Sequence, residues 1–242
     1  MKLLKRSGSY LKRKAVKNLL SSFLCLLAFA GLLVTSTGAS PFYVSLGNYE
    51  PARIALMLVL LFIGVFWFFP KYGRYMGGSQ GEKRVTRVLR ESLSDDYFLI
   101  NDLQLFDVRK GNIDHVVVGP NGVFVIETKN LGGNISASED CWQGTKGNCP
   151  RNQARDNANR VYHAIKASEN FRTGKPWVHG IVVFPNRAAR LNVRKPPFKV
   201  AVLRLNALAN YITATKPLRY LSSNETEAIA KGILTRHRKR FS

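Results

Sequence analysis

Residues 112–129, NIDHVVVGPNGVFVIETK, decide the fold. Two runs of β-branched and aromatic residues, Val116–Val118 and Val123–Ile126, flank Gly-Pro-Asn-Gly at 119–122, which is typical of a turn. The stretch therefore predicts a β-hairpin.

The register of this hairpin decides which side chains meet. If Gly119 pairs with Gly122, Asp114 lies directly across from Glu127, with Cβ atoms about 4.5–5.5 Å apart. The strand period of two then puts Lys129 on the same face as Glu127. A slip of one residue would separate the two carboxylates. Three apolar side chains are expected to point the other way into a core: Ile113, Phe124 and Ile126.

Two carboxylates beside a lysine have two explanations. One is an ion pair that serves only the structure. The other is a site for Mg²⁺ or Mn²⁺ held by Asp114 and Glu127, because hard cations prefer carboxylate oxygens. In such a site Lys129 can orient an attacking water or stabilise charge on a phosphate, which suits phosphodiester hydrolysis.

The spacing of these residues also resembles a known family. Asp114, followed after twelve residues by Glu127-Thr128-Lys129, resembles the D…(D/E)xK signature of the PD-(D/E)XK nuclease superfamily. An ordered series of short stretches between residues 80 and 185 resembles the nuclease-related domain, NERD: Gly81-Glu82, Gly111–His115, Gly119–Gly122, Glu127–Asn130, Gly133–Ile135, Trp142 and Pro150–Gln153. The resemblance implies an α/β, restriction-endonuclease-like core, in which a mixed central sheet is flanked by helices.

The resemblance adds two further candidates to the catalytic set of Asp114, Glu127 and Lys129. Glu82, near the start of a predicted helix over Gly81–Leu93, matches a glutamate that approaches the metal in related nucleases, although it would also stabilise the helix N-terminus. Gln153 matches a residue that contacts the attacking water, a phosphate or the lysine, although a solvated helix face would explain it equally. Asn157 stands where related nucleases often carry tyrosine, and this departure argues against full equivalence of the active site.

The first third of the chain predicts a membrane anchor. Residues 1–18 hold seven basic residues and no acidic one, and residues 19–70 contain two apolar runs, Leu19–Thr35 and Ile54–Phe69. We interpret them as a basic cytoplasmic arm followed by a two-helix transmembrane hairpin, with both ends on the cytoplasmic side of the inner membrane by the positive-inside rule. The alternative is a signal peptide ending near Ser36–Ala39, which would place the domain outside.

The remaining segments are predicted as a flexible linker at 71–80, the NERD domain at 81–185 and a basic extension with a strand and helices at 186–242. Charge is uneven, because Arg151–Ser242 holds nineteen basic and four acidic residues. Such a surface would bind a nucleic acid backbone, with DNA expected ahead of RNA. Anionic lipid is the alternative partner for two basic segments, Lys2–Lys17 and Arg236–Arg240. The rival to a nuclease is a non-catalytic nucleic-acid-binding or membrane-scaffolding module that keeps the same fold.

Overall fold

The computed structural model describes residues 1–5, 10–36, 49–105, 111–137, 142–143, 149–167, 177–193 and 200–236. The chain forms two compact units. We name them the helical unit, Ser9–Ser79, and the sheet unit, which combines Met1–Gly8 with Gln80–Ser242.

The helical unit contains two long apolar helices. The first is helix α1, Tyr10–Ser36. The second is continuous but has three parts: α2 at Glu50–Phe62, a π-helical turn at Ile63–Phe68 and α3 at Phe69–Ser92, of which only the start belongs to this unit. By length and composition both could cross a membrane, with mean hydropathies of 2.2 and 2.4 in their most apolar windows. Signal sequences and buried core helices can be equally long and apolar. In these two helices, however, only 6% and 17% of the most apolar window is buried.

Small residues bring these two helices close together. The Ser22 hydroxyl donates a hydrogen bond of 2.8 Å to the Gly64 carbonyl in the π-helical turn. A Cβ atom at Gly64 would lie 3.2 Å from the Cβ atom of Cys25. Close backbone approach at small residues, supported by a polar side chain, is typical of helix pairs in membranes.

The predicted linker at 71–80 is helical. Helix α3 runs without interruption from Phe69 to Ser92, whereas the sequence led us to expect a flexible joint and a helix starting at Gly81. A glycine inside a helix costs only about 1 kcal/mol relative to alanine. Ending one helix and nucleating another is less favourable than keeping two glycines in a continuous helix.

The sheet unit is built on a mixed six-stranded sheet with the strand order β1-β2-β3-β4-β7-β9. Strands β2, β3 and β4 are antiparallel neighbours, whereas β1 is parallel to β2, and β4, β7 and β9 are mutually parallel. The mixed α/β architecture predicted from the sequence is therefore present. The six strands are β1 Lys2–Lys5, β2 Phe98–Leu103, β3 Ile113–Gly119, β4 Gly122–Thr128, β7 Val178–Phe184 and β9 Val200–Arg204.

A smaller sheet of three strands accompanies the central one, with the order β6-β5-β8. Its strands are β5 Gly133–Ala137, β6 Trp142–Gln143 and β8 Ala189–Val193. Three further helices complete the unit: α4 Pro150–Lys166, α5 Leu205–Ala214 and α6 Ser223–Thr235.

The start of the predicted basic arm belongs to the central sheet. Lys2–Lys5 forms the edge strand β1 and pairs with β2, so this part of residues 1–18 is not a free arm. Leu3 and Leu4 pack against opposite faces of the sheet, and the Lys5 ammonium group donates a hydrogen bond to the Asp102 carbonyl. Two adjacent leucines can both be partly buried because both faces of the sheet are covered.

Both faces of the hairpin lie in hydrophobic cores. One face packs against α4 and α6, and the other packs against α3 and α5. Phe124 and Ile126 point to the α3 side, as expected, but Ile113 packs in the cluster on the opposite face. The first cluster includes Val116, Val118, Val123, Val125, Val161 and Ile229. The second includes Leu89, Val117, Phe124, Ile126 and Leu208.

Residues 186–242 are an integral part of the sheet unit rather than an extension. Strand β9 pairs with β7, and α5 and α6 cover opposite faces of the central sheet. Helix α6 begins with a capping box, because the Ser222 hydroxyl accepts a hydrogen bond from the Glu225 amide while the Glu225 carboxylate accepts one from the Ser222 amide. Most of the basic run Arg236–Arg240 lies outside the described residues.

Candidate active site

The hairpin has the predicted register. Gly119 pairs with Gly122, and the ladder continues to His115 opposite Ile126. Asp114 is the next residue of β3 at the end of this ladder, and the charge of Glu127 is one of the causes that raise its pKa, so the two carboxyl groups lie near each other. Asp114 Oδ2 accepts a hydrogen bond of 2.7 Å from the Thr128 amide, which fixes this carboxylate at the end of the two strands.

Lys129 joins the hairpin to helix α4. Its ammonium group donates a hydrogen bond of 2.7 Å to Glu127 Oε1 and one of 2.9 Å to Gln153 Oε1. The Glu127 side chain is 3% exposed and the Lys129 side chain 25%, so the lysine is the group that reaches toward solvent. The family resemblance implied that Gln153 contacts the attacking water, a phosphate or the lysine. Of these contacts, the one with the lysine is present in the structure.

Asn157 is the residue whose role the sequence did not reveal. Its Nδ2 atom donates a hydrogen bond of 3.3 Å to Glu127 Oε2, and its Oδ1 atom accepts one of 3.1 Å from Arg160. The spacing of Gln153 and Asn157 places both on one side of α4. That spacing was the available signal, but only the packing of α4 on β4 shows that the amide reaches Glu127.

Glu82 lies within electrostatic range of the hairpin carboxylates. Helix α3 approaches this end of the sheet closely, since a Cβ atom at Gly81 would be 2.7 Å from the Cβ atom of Asn130. The negative charge of Glu82 is one of the causes that raise the pKa of Asp114. The structure thus brings all five predicted site residues to the same end of the sheet.

The pKa values of the two hairpin carboxyl groups are both raised above their ordinary values. Burial raises the pKa of Asp114 well above its ordinary value, and the charges of Glu127 and Glu82 raise it further against the opposing effects of the Thr128 amide and Lys129. Burial also raises the pKa of Glu127, while Lys129 and Asn157 act in the opposite direction. One lysine therefore does not fully compensate the negative charge at this site.

The donor set fits a hard divalent cation. No cluster of three His, Cys, Asp or Glu side chains that could hold a metal occurs in the described part of the chain. Asp114 and Glu127 supply two carboxylate groups, and Mg²⁺ is often bound by one or two carboxylates together with water and substrate phosphate oxygens. A cation would also supply the positive charge that the raised pKa values indicate is needed.

His115 is a core residue. It is 0% exposed, and its Nδ1 atom lies 2.7 Å from Asn101 Oδ1. Burial lowers the pKa of His115 to about 3, so the ring is neutral at physiological pH.

Comparison with known proteins gives matches to part of the chain. Residues 77–185 match the family model of the nuclease-related domain, NERD. An uncharacterized protein of Bacillus anthracis is 31% identical over 117 residues, which are 47% of this chain and 55% of that protein. The chain thus spans about half the length of this relative. The segment that contains the hairpin and the five site residues, residues 77–185, is a nuclease-related domain.

Proposed function

We propose that the protein hydrolyses phosphodiester bonds of nucleic acid in a reaction that depends on Mg²⁺ or Mn²⁺. The observation that carries the proposal is the pair of hydrogen bonds from the Lys129 ammonium group to Glu127 and Gln153, at 2.7 and 2.9 Å, beside Asp114. The purely structural ion pair weighed from the sequence accounts for the contact with Glu127. It does not account for the Gln153 amide or for a second carboxylate with a raised pKa.

In this proposal each side chain has a distinct task. Asp114 and Glu127 would hold the metal ion, which when bound would polarise the phosphate and activate water. Lys129 donates hydrogen bonds to the negative charge that develops on the phosphate. Gln153 orients the lysine, and Asn157 orients Glu127 through the oxygen that Lys129 does not contact.

A second candidate function is non-catalytic binding of nucleic acid by the same fold. It is favoured by Asn157, which stands where related nucleases often carry tyrosine. It is also favoured by Glu127, whose two oxygens both accept hydrogen bonds from protein side chains. The two candidates differ only in whether bound nucleic acid is cut.

The test is cleavage by the purified full chain of labelled DNA and RNA with Mg²⁺, Mn²⁺ or chelator. The proposal expects metal-dependent products from the wild type and none from Glu127→Gln, which keeps the side-chain shape and removes the charge. Binding without cleavage under every metal condition would establish the second candidate.

We further propose that the helical unit is a two-span anchor in the cytoplasmic membrane. Lys2–Lys5 and the residues from Gln80 onward, which flank this unit in sequence, belong to one folded unit. A membrane crossed by the first helix must therefore be crossed back by the second. Basic residues on both flanks favour the cytoplasmic side and would contact anionic lipid at about 1 kcal/mol each.

A reporter fusion tests this topology. A reporter active only in the cytosol, fused to the C-terminus, is expected to give signal, and one active only in the periplasm is expected to stay silent. The reverse pattern would support the signal-peptide alternative.

Asn157 gives a test of how Glu127 is held. Asn157→Ala is expected to lower the cleavage rate about tenfold, because one hydrogen bond to a charged group contributes about 1.5–3 kcal/mol. It also removes an interaction that lowers the pKa of Glu127, so the pH of half-maximal activity should rise. Arg155→Ala, at an exposed position on the same helix, is the control. An unchanged pH profile in Asn157→Ala would remove Asn157 from the site.

A further inference from the structure

Beside the candidate site, the small sheet exposes a surface made of polar side chains. Asn134 of β5 pairs with Arg190 of β8, and Ser136 of β5 pairs with Asn192 of β8. Ser136 is partly exposed and the other three are exposed. We call these four residues the polar face. A cavity of about 310 Å³ opens over it, lined by the polar face together with Ile135 and Leu191.

The opposite side of the same sheet explains why the polar face keeps its shape. Ile135, Ala137 and Ala189 alternate with the polar residues and are only 1–2% exposed. They pack in a cluster with Ala154 of α4 and Phe184 of β7. The sheet is thus fixed on one side by a hydrophobic core, and its other side is open.

The chemistry of the polar face suits an anionic polymer with hydrogen-bonding groups. It offers one guanidinium group, two amides and one hydroxyl group, and none of the described residues that line its cavity is acidic. Arginine binds phosphate through two parallel hydrogen bonds, and asparagine and serine bind both phosphate oxygens and base edges. Side chains two residues apart on a strand are about 6.6 Å apart, which is the scale of one nucleotide step in an extended strand.

The position of the polar face links it to the cleavage site. Strand β5 begins at Gly133, four residues after Lys129, and its first amide bonds to the Ala188 carbonyl just before β8. The first residues of β5 therefore lie a short distance along the chain from Lys129, and those of β8 lie beside them, so a polynucleotide held at Lys129 can extend toward the polar face.

We propose that the polar face binds the strand of nucleic acid that flanks the bond to be cut. This rests on the proposed function, because it identifies a second contact region for the same substrate. Arg190 binds a phosphate, and Asn134 and Asn192 contact the neighbouring nucleotides.

Binding without cleavage isolates this surface from the chemistry. The full chain in detergent, with chelator present, is titrated against fluorescent single-stranded DNA, single-stranded RNA and duplex DNA, and anisotropy gives Kd. The double variant Asn134→Ala/Arg190→Ala is expected to raise Kd for a single strand by at least about tenfold. The control is Arg187→Ala, which removes the same charge from the exposed turn before β8 and is expected to change Kd less than about twofold.

Each outcome decides the matter. Equal weakening by the double variant and by Arg187→Ala would show that the face contributes only general positive charge, and would overturn the proposal. An unchanged Kd in the double variant would also overturn the proposal. Displacement of the strand by millimolar inorganic phosphate would overturn it in favour of a site for small anions. If the double variant selectively loses binding but the wild type cuts no substrate, the role of the polar face is supported and the proposed nuclease activity is contradicted. If the wild type cuts nucleic acid and the double variant cuts it equally well, the nuclease activity is supported and the role of the polar face is contradicted.

Discussion

Lys129→Met is expected to lower the rate of nucleic acid cleavage by about 100- to 1,000-fold, because removal of one preorganised donor to the developing charge typically has that effect. Methionine keeps much of the length and flexibility of the lysine side chain but has no charge. The substitution also removes the positive charge that lowers the pKa of both Asp114 and Glu127. The residual activity should therefore need a higher pH than that of the wild type.

Arginine is not expected to rescue this position. The Lys129 ammonium group bonds to Glu127 and Gln153 at once, at 2.7 and 2.9 Å, as a compact point charge. The planar guanidinium group is larger and has a different donor geometry, so Lys129→Arg should remain at least about tenfold below the wild type.

Lys83→Met provides the matched control, since it removes the same charge from an exposed position on α3. It should leave cleavage within about twofold of the wild type. Binding of nucleic acid by each variant shows whether the protein still folds. Full activity in Lys129→Met would place the chemistry at another site.

The hairpin could be predicted in detail because its information is local. The turn chemistry at 119–122 fixes the pairing of the adjacent strands, and the period of two then assigns faces without knowledge of any distant residue. That register gave the face of Phe124 and Ile126 correctly, but the alternation fails at Ile113, which packs on the opposite face from the one expected. Strand β7, Val178–Phe184, carries a similarly local signal, because it is a continuous run rich in β-branched residues.

Contacts between distant segments were not accessible in this way. The four residues of β1 carry little pattern, and their partner Phe98 lies far along the chain. For β9 the sequence predicted a strand, but its pairing with β7 makes residues 186–242 part of the core rather than an extension. The same reason hid the contact of Asn157 with Glu127, which depends on how α4 lies across β4.

Asp114→Asn is expected to make the metal-free protein more stable at neutral and alkaline pH. Burial and the charges of Glu127 and Glu82 raise the pKa of Asp114 in the folded protein, whereas the unfolded chain keeps the ordinary value of about 3.9. Between these two values the folded state binds more protons than the unfolded state, so the free energy of unfolding falls as pH rises from about 4. Asparagine carries no charge to desolvate and can still accept the hydrogen bond from the Thr128 amide.

The size and the pH dependence of this effect can both be measured. Unfolding of the full chain by denaturant, in chelator, should show the variant equal to the wild type near pH 4. At pH 8 it should be more stable than the wild type, because the pKa of Asp114 is raised in the folded protein only. Asp156→Asn, at an exposed carboxylate on α4, is the control and should follow the wild type.

Added Mg²⁺ should reverse the order of the two proteins. A ligand that binds only the folded state raises stability with its concentration, and the wild type alone keeps both carboxylates for the cation. A cation bound between the two carboxylates would relieve the charge repulsion that raises the pKa of Asp114 in the metal-free protein. If Asp114→Asn instead loses stability at pH 8 in chelator, the carboxylate is already compensated within the protein, and the argument for a metal site at the hairpin fails.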